Sequence, residues 1–558
     1  MKRIAFLLFL MIPTHLAFAQ DEEAKIEIVV LMKSQYDRAK LGRQAAYYPT
    51  RTERREHVVK TLKAFSEASQ QDLRGLLDEM ERQDMVESIH SLWMSNALYF
   101  SITESALSCL SERNDIAIIS RNVKHQWIPE VEAPVKATDS REITPNISQV
   151  HADQVWALGY TGRGVVVAVV DSGVNYEHED LADHLWDGGD AFPHHGYDVV
   201  NNDDDPMDDK GHGTHCAGTV CGDGTAGSLT GIAPEATLMC VKSIASDGFG
   251  GAVNIAGGME WAVEHGCDVI SMSLGMVDAS VADKELLRRS CEAILDAGIL
   301  ALVCAGNEGN AFLQMTYPVP NNVRVPASCP PPYLDPDQLV NPGGLSCVMS
   351  IGAVDGNDMA ADFTSRGPVT WQGTEFGDYA YTPNIGLIRP DVCAPGVNIK
   401  SLDYENTSGY NSLSGTSQAT PCVAGIVALM LSKNPELTPA QICQILEETS
   451  VKLTPNKSNI TGVGRVDALA AINAVTPWDG VFVTNERQAC IFPNPSTEDI
   501  TVTCEGMHQI EVFSMDGRLV KSIQTESPVH QLKGLMSGTY LVKITTDKGV
   551  IVKKAVKL

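Results

Sequence analysis

Apolar positions along this chain change rhythm twice, and each rhythm predicts a different kind of element. From residue 21 to 141 they read first as one apolar run, Ile26 to Met32, then at helical spacing. Val59, Leu62, Phe65, Leu73, Leu76 and Met80 share one face of a helix predicted over 55–82. Strands are predicted over Val86–Trp93 and Ala97–Ser101, a short helix over Glu104–Arg113, and a strand over Ile116–Ser120.

The resulting order, βαββαβ, is the ferredoxin-like α+β pattern. From Pro145 to Val475 the rhythm changes: Val165–Val170, Ala236–Val241, Asp268–Ser271, Leu300–Cys304 and Val348–Val354 are largely apolar runs, rich in β-branched residues, that alternate with Gly-rich turns and helical segments. Strands of this kind are buried on both faces, which predicts an α/β domain built on a parallel sheet. Its ligands belong at the carboxyl ends of the strands. After Pro477-Trp478-Asp479-Gly480 the strands shorten and alternate (Ile500–Cys504, Ile510–Phe513, Leu519–Ile523, Tyr540–Ile544, Val550–Val556). Turns such as Asp516-Gly517 and Ser537-Gly538 split them, so residues 480–558 are predicted to form a small β-sandwich.

At 558 residues the chain has room for several domains, as these zones require. A formal net charge of −28 argues against nucleic acid as a partner, because phosphate binding needs a basic surface. Lys2 and Arg3 precede an apolar stretch from Ile4 to Ile12 and then Ala17-Phe18-Ala19, so residues 1–19 read as a secretory signal peptide. No later run of about 20 apolar residues follows, and the mature chain is expected to have no transmembrane segment. Cys216, Cys240, Cys267 and Cys304 sit in apolar or small-residue segments and read as buried thiols. On loop context alone, Cys329–Cys347 and Cys490–Cys504 are the expected bridges of an exported chain.

Three segments carry candidate chemistry. Val165-Val-Val-Ala-Val-Val-Asp171-Ser-Gly is a buried strand ending in a carboxylate. Gly211-His212-Gly213-Thr214-His215-Cys216 sets an imidazole at a Gly turn before a helix of small residues. Gly415-Thr416-Ser417-Gln418 sets a hydroxyl at the start of another helix. Amide hydrolysis needs a nucleophile, a base to take its proton and a group to orient that base, and these residue types supply all three. Nothing in the spacing shows that they meet.

In the order Asp…His…Ser, the segments resemble the signatures of the subtilase family, and Val303-Cys304-Ala305-Gly306-Asn307-Glu308-Gly309 is a fourth match. The resemblance covers about residues 145–475. It implies a subtilisin-like three-layer α/β fold and a serine endopeptidase with Asp171, His212 and Ser417 as triad and Asn307 as oxyanion donor. It also implies that Ser273-Leu274-Gly275 lines the P1 side-chain pocket, that Gly248 and Gly250 belong to the strand that pairs with substrate, and that no cofactor is needed for the chemistry. His215 reads as structural. Cys216 matches subtilases with a buried thiol beside the catalytic His. By rough register Arg324 falls near the P1 pocket floor, which predicts a preference for acidic P1 residues.

The run from Asn201 to Asp209 offers alternating oxygens, with Asp203, Asp205 and Asp208 as candidate Ca2+ ligands, and it is equally the composition of a solvated acidic turn. Residues 21–141 resemble the inhibitory propeptides of bacillopeptidase F-like subtilases, which implies a zymogen whose own propeptide is a partner. The alternative is a retained binding module. Phe492-Pro493-Asn494-Pro495, Met515-Asp516-Gly517-Arg518, Ser537-Gly538-Thr539-Tyr540 and the closing Val552-Lys553-Lys554 resemble the type IX sorting domain of Bacteroidetes. That resemblance implies secretion machinery as a partner and a secreted or surface enzyme. A binding protein on a silent scaffold would have no need of all of Asp171, His212, Asn307 and Ser417.

Overall fold

The computed structural model describes residues 24–45, 48, 50–128, 135–137, 142–330, 347–371, 387–478, 489–492, 496, 499–504, 506–514, 517–525, 527–546 and 549–557. The expected signal segment 1–19 and much of two predicted loop insertions, 318–342 and 367–389, lie outside the described residues.

The N-terminal unit is a four-stranded antiparallel sheet in the order Val86–Leu92, Ala97–Thr103, Lys25–Met32, Ile116–Arg121. This is the ferredoxin-like arrangement, with the helices Arg51–Arg82 and Glu104–Ser111 as its crossovers. The long helix begins four residues before the expected start because Thr50 and Glu53 close a capping box, satisfying two orphan helix-end donors. Its buried stripe is also rotated from the expected one, to Val58, Leu62, Ser66, Gln70, Leu73, Leu77 and Met80. A glutamine is tolerated there because Gln70 Nε2 donates to Ser66 Oγ and Asn96 Oδ1 while Oε1 accepts from Ser91.

The central domain is built on a seven-stranded parallel sheet in the order Val392–Pro395, Met349–Val354, Leu300–Cys304, Val269–Met272, Val166–Asp171, Thr237–Lys242, Gly196–Asp198. Strand alternation divides its side chains between two layers. Val167 and Val169 pack with the helices His212–Cys221 and Thr416–Lys433, while Ala168 and Val170 pack with Ala252–Glu264 and Val281–Asp296. The N-terminal unit joins the second layer: Val58, Leu62, Leu92 and Trp93 share one core with Met259, Ala262, Leu286 and Ile294. Arg51 pairs with Asp268, Arg54 with Glu436 and Lys63 with Glu264 around that contact.

The C-terminal unit has a three-stranded sheet (Ala489–Phe492, Ile500–Cys504, Val529–Leu532) and a four-stranded one (Leu519–Gln524, Met507–Ser514, Gly538–Thr546, Gly549–Lys557), closed over Val502, Ile510, Val542 and Ile544. No helix among the described residues is long and apolar enough to cross a membrane. The expected Cys329–Cys347 bridge is not formed, since both are free thiols, and the expected Cys490–Cys504 bridge lies outside what is described because the Cys490 side chain is not among the described residues. The Cys329 and Cys347 thiols are both fully buried, and Cys347 Sγ donates to the Pro330 carbonyl at 3.2 Å.

Candidate active site

Asp171 ends its strand fully buried, and His212 opens the next helix with Nδ1 2.7 Å from Asp171 Oδ1. The helix comes this close because Gly213 has no side chain: a Cβ there would sit 2.0 Å from the Gly173 carbonyl oxygen. The Ser172 amide donates to Asp171 Oδ1 (2.8 Å) and fixes the carboxylate. Asp171 Oδ2 and His212 Nε2 are buried and find no partner among the described residues. Burial alone would lower the pKa of His212, yet the net direction is well above its ordinary value. Cys216 is held as a neutral thiol by burial, which raises its own pKa, so the Asp171 carboxylate is the charge that keeps a proton on His212.

Ser417 is the second residue of its helix, entered through Gly415. Its hydroxyl donates to the Ser273 carbonyl (3.1 Å), and Ser273 Oγ returns a bond to the Ser417 carbonyl (2.7 Å). Cys216 spans the space between the two candidate groups, with Sγ 3.5 Å from the Ser417 carbonyl oxygen and 3.9 Å from His212 Nδ1. Asn307, in the loop after Leu300–Cys304, is locked by its Oδ1, which accepts from Thr416 N (3.0 Å) and Thr416 Oγ1 (2.9 Å). With Oδ1 so engaged, the amide presents Nδ2, a donor, beside the start of the Ser417 helix, whose first N–H groups have no intrahelical partner.

Asp171 and Asn307 therefore come from the carboxyl ends of two strands, and His212 and Ser417 from the starts of two helices. Residues 162–464 match the Subtilase family. The chain belongs to that family. Serine protease AprX of Bacillus subtilis (strain 168) is 34% identical over 405 residues, covering 67% of this chain and 78% of the relative. Subtilisin DY of Bacillus licheniformis is 34% identical over 325 residues, covering 58% of this chain and 97% of the relative. Bacillopeptidase F of Bacillus subtilis (strain 168) aligns over 90% of this chain at 27% identity, but over 35% of its own length. Residues 490–558 match the Secretion system C-terminal sorting domain. The chain is thus a subtilisin-like serine peptidase, a hydrolase, carrying a type IX sorting domain that directs it to the medium or the cell surface.

In this subtilase the predicted substrate strand already has a partner from the same chain. Lys124–Gln126 pairs antiparallel with Phe249–Gly251 in the register Gln126 to Phe249 and Lys124 to Gly251. Trp127 continues it: its amide donates to the Gly248 carbonyl (3.0 Å), its indole N–H to the Gly250 carbonyl (2.8 Å), and its carbonyl accepts from the Gly275 amide (3.0 Å). Of the predicted substrate-binding residues, Gly248 and Gly250 of the strand and Gly275 of the pocket touch this segment, Ser273 holds Ser417, and Leu274 is buried in the core cluster that contains Trp127. Sequence reasoning missed Lys124–Trp127; a three-residue strand carries no periodic signal.

Two expectations change. Asp203, Asp205 and Asp208 are not gathered for a cation, because Asp208 faces inward. Its oxygens accept from Ser172 Oγ, the Lys210, Gly211 and Thr214 amides and Thr214 Oγ1, which saturates it. Asp205 accepts from Tyr176 OH and Asp203 from the Asp205 amide, as in an acidic turn. Asp208 instead braces the turn that carries His212. Arg324 does lie buried against Gly275 and Gly306, but it is paired with Glu308, so its charge is already neutralised and an acidic P1 side chain gains little from it. His215 is structural as expected: Nε2 meets the Ile399 carbonyl at 3.1 Å, and burial with His212 nearby pushes its pKa down to about 3.

Proposed function

We infer that Asp171, His212 and Ser417 are the triad of a secreted endopeptidase made as a zymogen. The observation that carries this reading is the 2.7 Å bond to His212 Nδ1, which leaves Nε2 as the open, basic end of the ring. In this mechanism the Ser417 hydroxyl leaves the Ser273 carbonyl to bond His212 Nε2. Nε2 then takes the proton as Oγ attacks the substrate carbonyl, and returns it to the leaving amine; water discharges the acyl-enzyme by the same route. Asn307 Nδ2 and the Ser417 amide donate to the oxyanion. Substrates are extended proteins or peptides added as a strand to Gly248–Gly251. The type IX route marks a Bacteroidetes-type producer.

The N-terminal unit fills the role of temporary inhibitor, with Lys124–Trp127 occupying the substrate strand's place. Downstream, Val135–Lys136 pairs with Asn411 and Ser412. With the chain tied down on both sides of the cleft, the maturation cut falls between Ile128 and Val135. The domains then read as a signal at 1–19, a prosegment ending somewhat before residue 141, a catalytic domain through 475 and a sorting domain at 480–558. Intact mass of purified wild type and Ser417→Ala tests this. Wild type is expected to lose the prosegment at a bond in that interval while the variant stays full length. Identical self-processing of the variant would sink the reading.

Glu260 makes the inhibited state sensitive to pH. It lies under the N-terminal unit, accepts from the Met94 amide at 2.6 Å, and is pushed up to about 8 by burial. Release of the prosegment exposes it and returns it to the ordinary carboxylate range, so the inhibited complex holds a proton that the free enzyme gives up. Inhibition by the prosegment is therefore strongest below about pH 4.5 and weakens by up to about tenfold per pH unit as pH rises toward 8. Asp296, buried against Arg38 and pushed up to about 7, adds slope of the same sign. The inhibition constant of the isolated prosegment, measured from pH 5 to 8, should show this slope in wild type and a flatter one in Glu260→Gln. An unchanged slope removes Glu260 from the account.

A further inference from the structure

We propose that Arg324 is a substrate-positioning residue that grips the backbone of the bound peptide; this rests on reading Lys124–Trp127 as the occupant of the substrate cleft. Arg324 and Glu308 are both almost fully buried. Arg324 Nε and Nη2 donate to Glu308 Oε1 at 2.9 and 2.5 Å, and Ser365 Oγ holds the other carboxylate oxygen at 2.9 Å. The third guanidinium nitrogen, Nη1, is left to face the cleft. It donates to the Gly275 carbonyl at 2.5 Å and lies 3.4 Å from both the Gln126 and Trp127 carbonyl oxygens. One Nη1 hydrogen is directed at the wall of the cleft, and the other is shared by two carbonyls of the occupant.

The site is built around this side chain. A Cβ on Gly275 would stand 2.7 Å from Arg324 Cβ, and one on Gly306 would stand 2.9 Å from Arg324 Cγ and 2.5 Å from Glu308 Oε2. Gly306 also holds φ +114, a left-handed conformation that favours glycine. A rigid guanidinium anchored at two of its three nitrogens offers the third with little loss of freedom on binding. Its acceptors are main-chain carbonyls, so the grip is blind to side chains. It requires only that the substrate extend through the positions held by Gln126 and Trp127. Arg324 thus selects extended polypeptide over short esters and amides, and this replaces the acidic-P1 role.

The test compares wild type with Arg324→Met/Glu308→Gln, which removes both charges together and leaves no buried charge unpaired, and with Arg324→Lys. A peptide of residues 122–128 serves as competitive inhibitor, and a peptide anilide with at least four residues before the scissile bond is compared with a single-residue ester. Expected is a Ki about tenfold higher in the double variant, the scale of a lost charge-assisted hydrogen bond. The rise in KM should exceed the fall in kcat on the long anilide, and the long-to-short ratio of kcat/KM should fall about tenfold. Arg324→Lys, lacking the planar fork, should recover little. An unchanged Ki, or parallel losses on long and short substrates, overturns the proposal while leaving the cleft reading intact. Failure of the peptide to inhibit wild type overturns the cleft reading and the proposal with it.

Discussion

Alanine at Ser417 is expected to lower kcat on a peptide anilide by about 10⁶-fold, alanine at His212 by a similar factor, and both together by no more than either alone. Mutagenesis of the triad in subtilisin, a relative of this chain, sets that scale. The non-additivity follows from the chemistry: His212 Nε2 matters only as the acceptor of the Ser417 proton, and a hydroxyl without a base is inert at neutral pH. A residual activity of roughly 10³–10⁴ over water is expected, the share that the proposed donors on Asn307 Nδ2 and the Ser417 amide and the proposed strand binding at Gly248–Gly251 would supply. Cys216 supplies a control. Its thiol stands 3.9 Å from His212 Nδ1, but burial raises its pKa and keeps it protonated. Residual activity in Ser417→Ala should therefore resist thiol reagents. Thiol-sensitive turnover in that variant would make Cys216 a nucleophile, and multiplicative losses in the double variant would mean that His212 does not serve Ser417.

Much of the scaffold was legible because five of the seven strands are largely apolar runs, and the structure places them within a residue or two of the expected bounds. The two missed strands are the sheet edges. Gly196–Asp198 is three residues long and opens on glycine, and Val392–Pro395 ends on proline, so neither has a run long enough to stand out. The long helix shows a signal that was present and overlooked: Thr50 and Glu53 stand in capping-box spacing, and they set the start at Arg51.

At the site, local composition exposed Asp171, His212 and Ser417, since each sits in its own Gly-flanked turn. Their neighbours were hidden by distance along the chain. Asp208 looked like a cation ligand within an acidic run, yet its role is fixed by Ser172 and Thr214, which fold around it. Arg324 does stand beside Gly275, but the meaning of its charge depends on Glu308, sixteen residues earlier. Trp127 lies outside the catalytic domain altogether, and only the tertiary fold brings it against Gly248, Gly250 and Gly275. Residues that act within one turn are readable from sequence; residues whose partners arrive from another element are not.

Asparagine at Asp171 is expected to reduce kcat/KM at neutral pH by about 10⁴-fold without unfolding the enzyme, and to move its acid limb to lower pH. The shape is preserved, because asparagine fills the same space. The proton is not. In wild type, once the pH exceeds the His212 pKa, the Asp171 carboxylate accepts from His212 Nδ1–H and leaves Nε2 bare to act as base. An amide turned with its nitrogen toward the ring donates to Nδ1 and drives the proton to Nε2, the wrong tautomer for taking one from Ser417. The pH profile separates this from simple damage. Activity rises with pH as His212 loses its proton, so the acid limb reports the His212 pKa. With Asp171 present the pKa lies well above the ordinary 6.5; with the charge removed, burial is left to act and pulls it below that value. The profile of enzyme processed by an added protease should thus show a limb above 6.5 in wild type and below it in Asp171→Asn. A limb that stays in place while activity falls would mean that Asp171 shapes the site without governing the His212 proton, and the candidate triad would lose its third member.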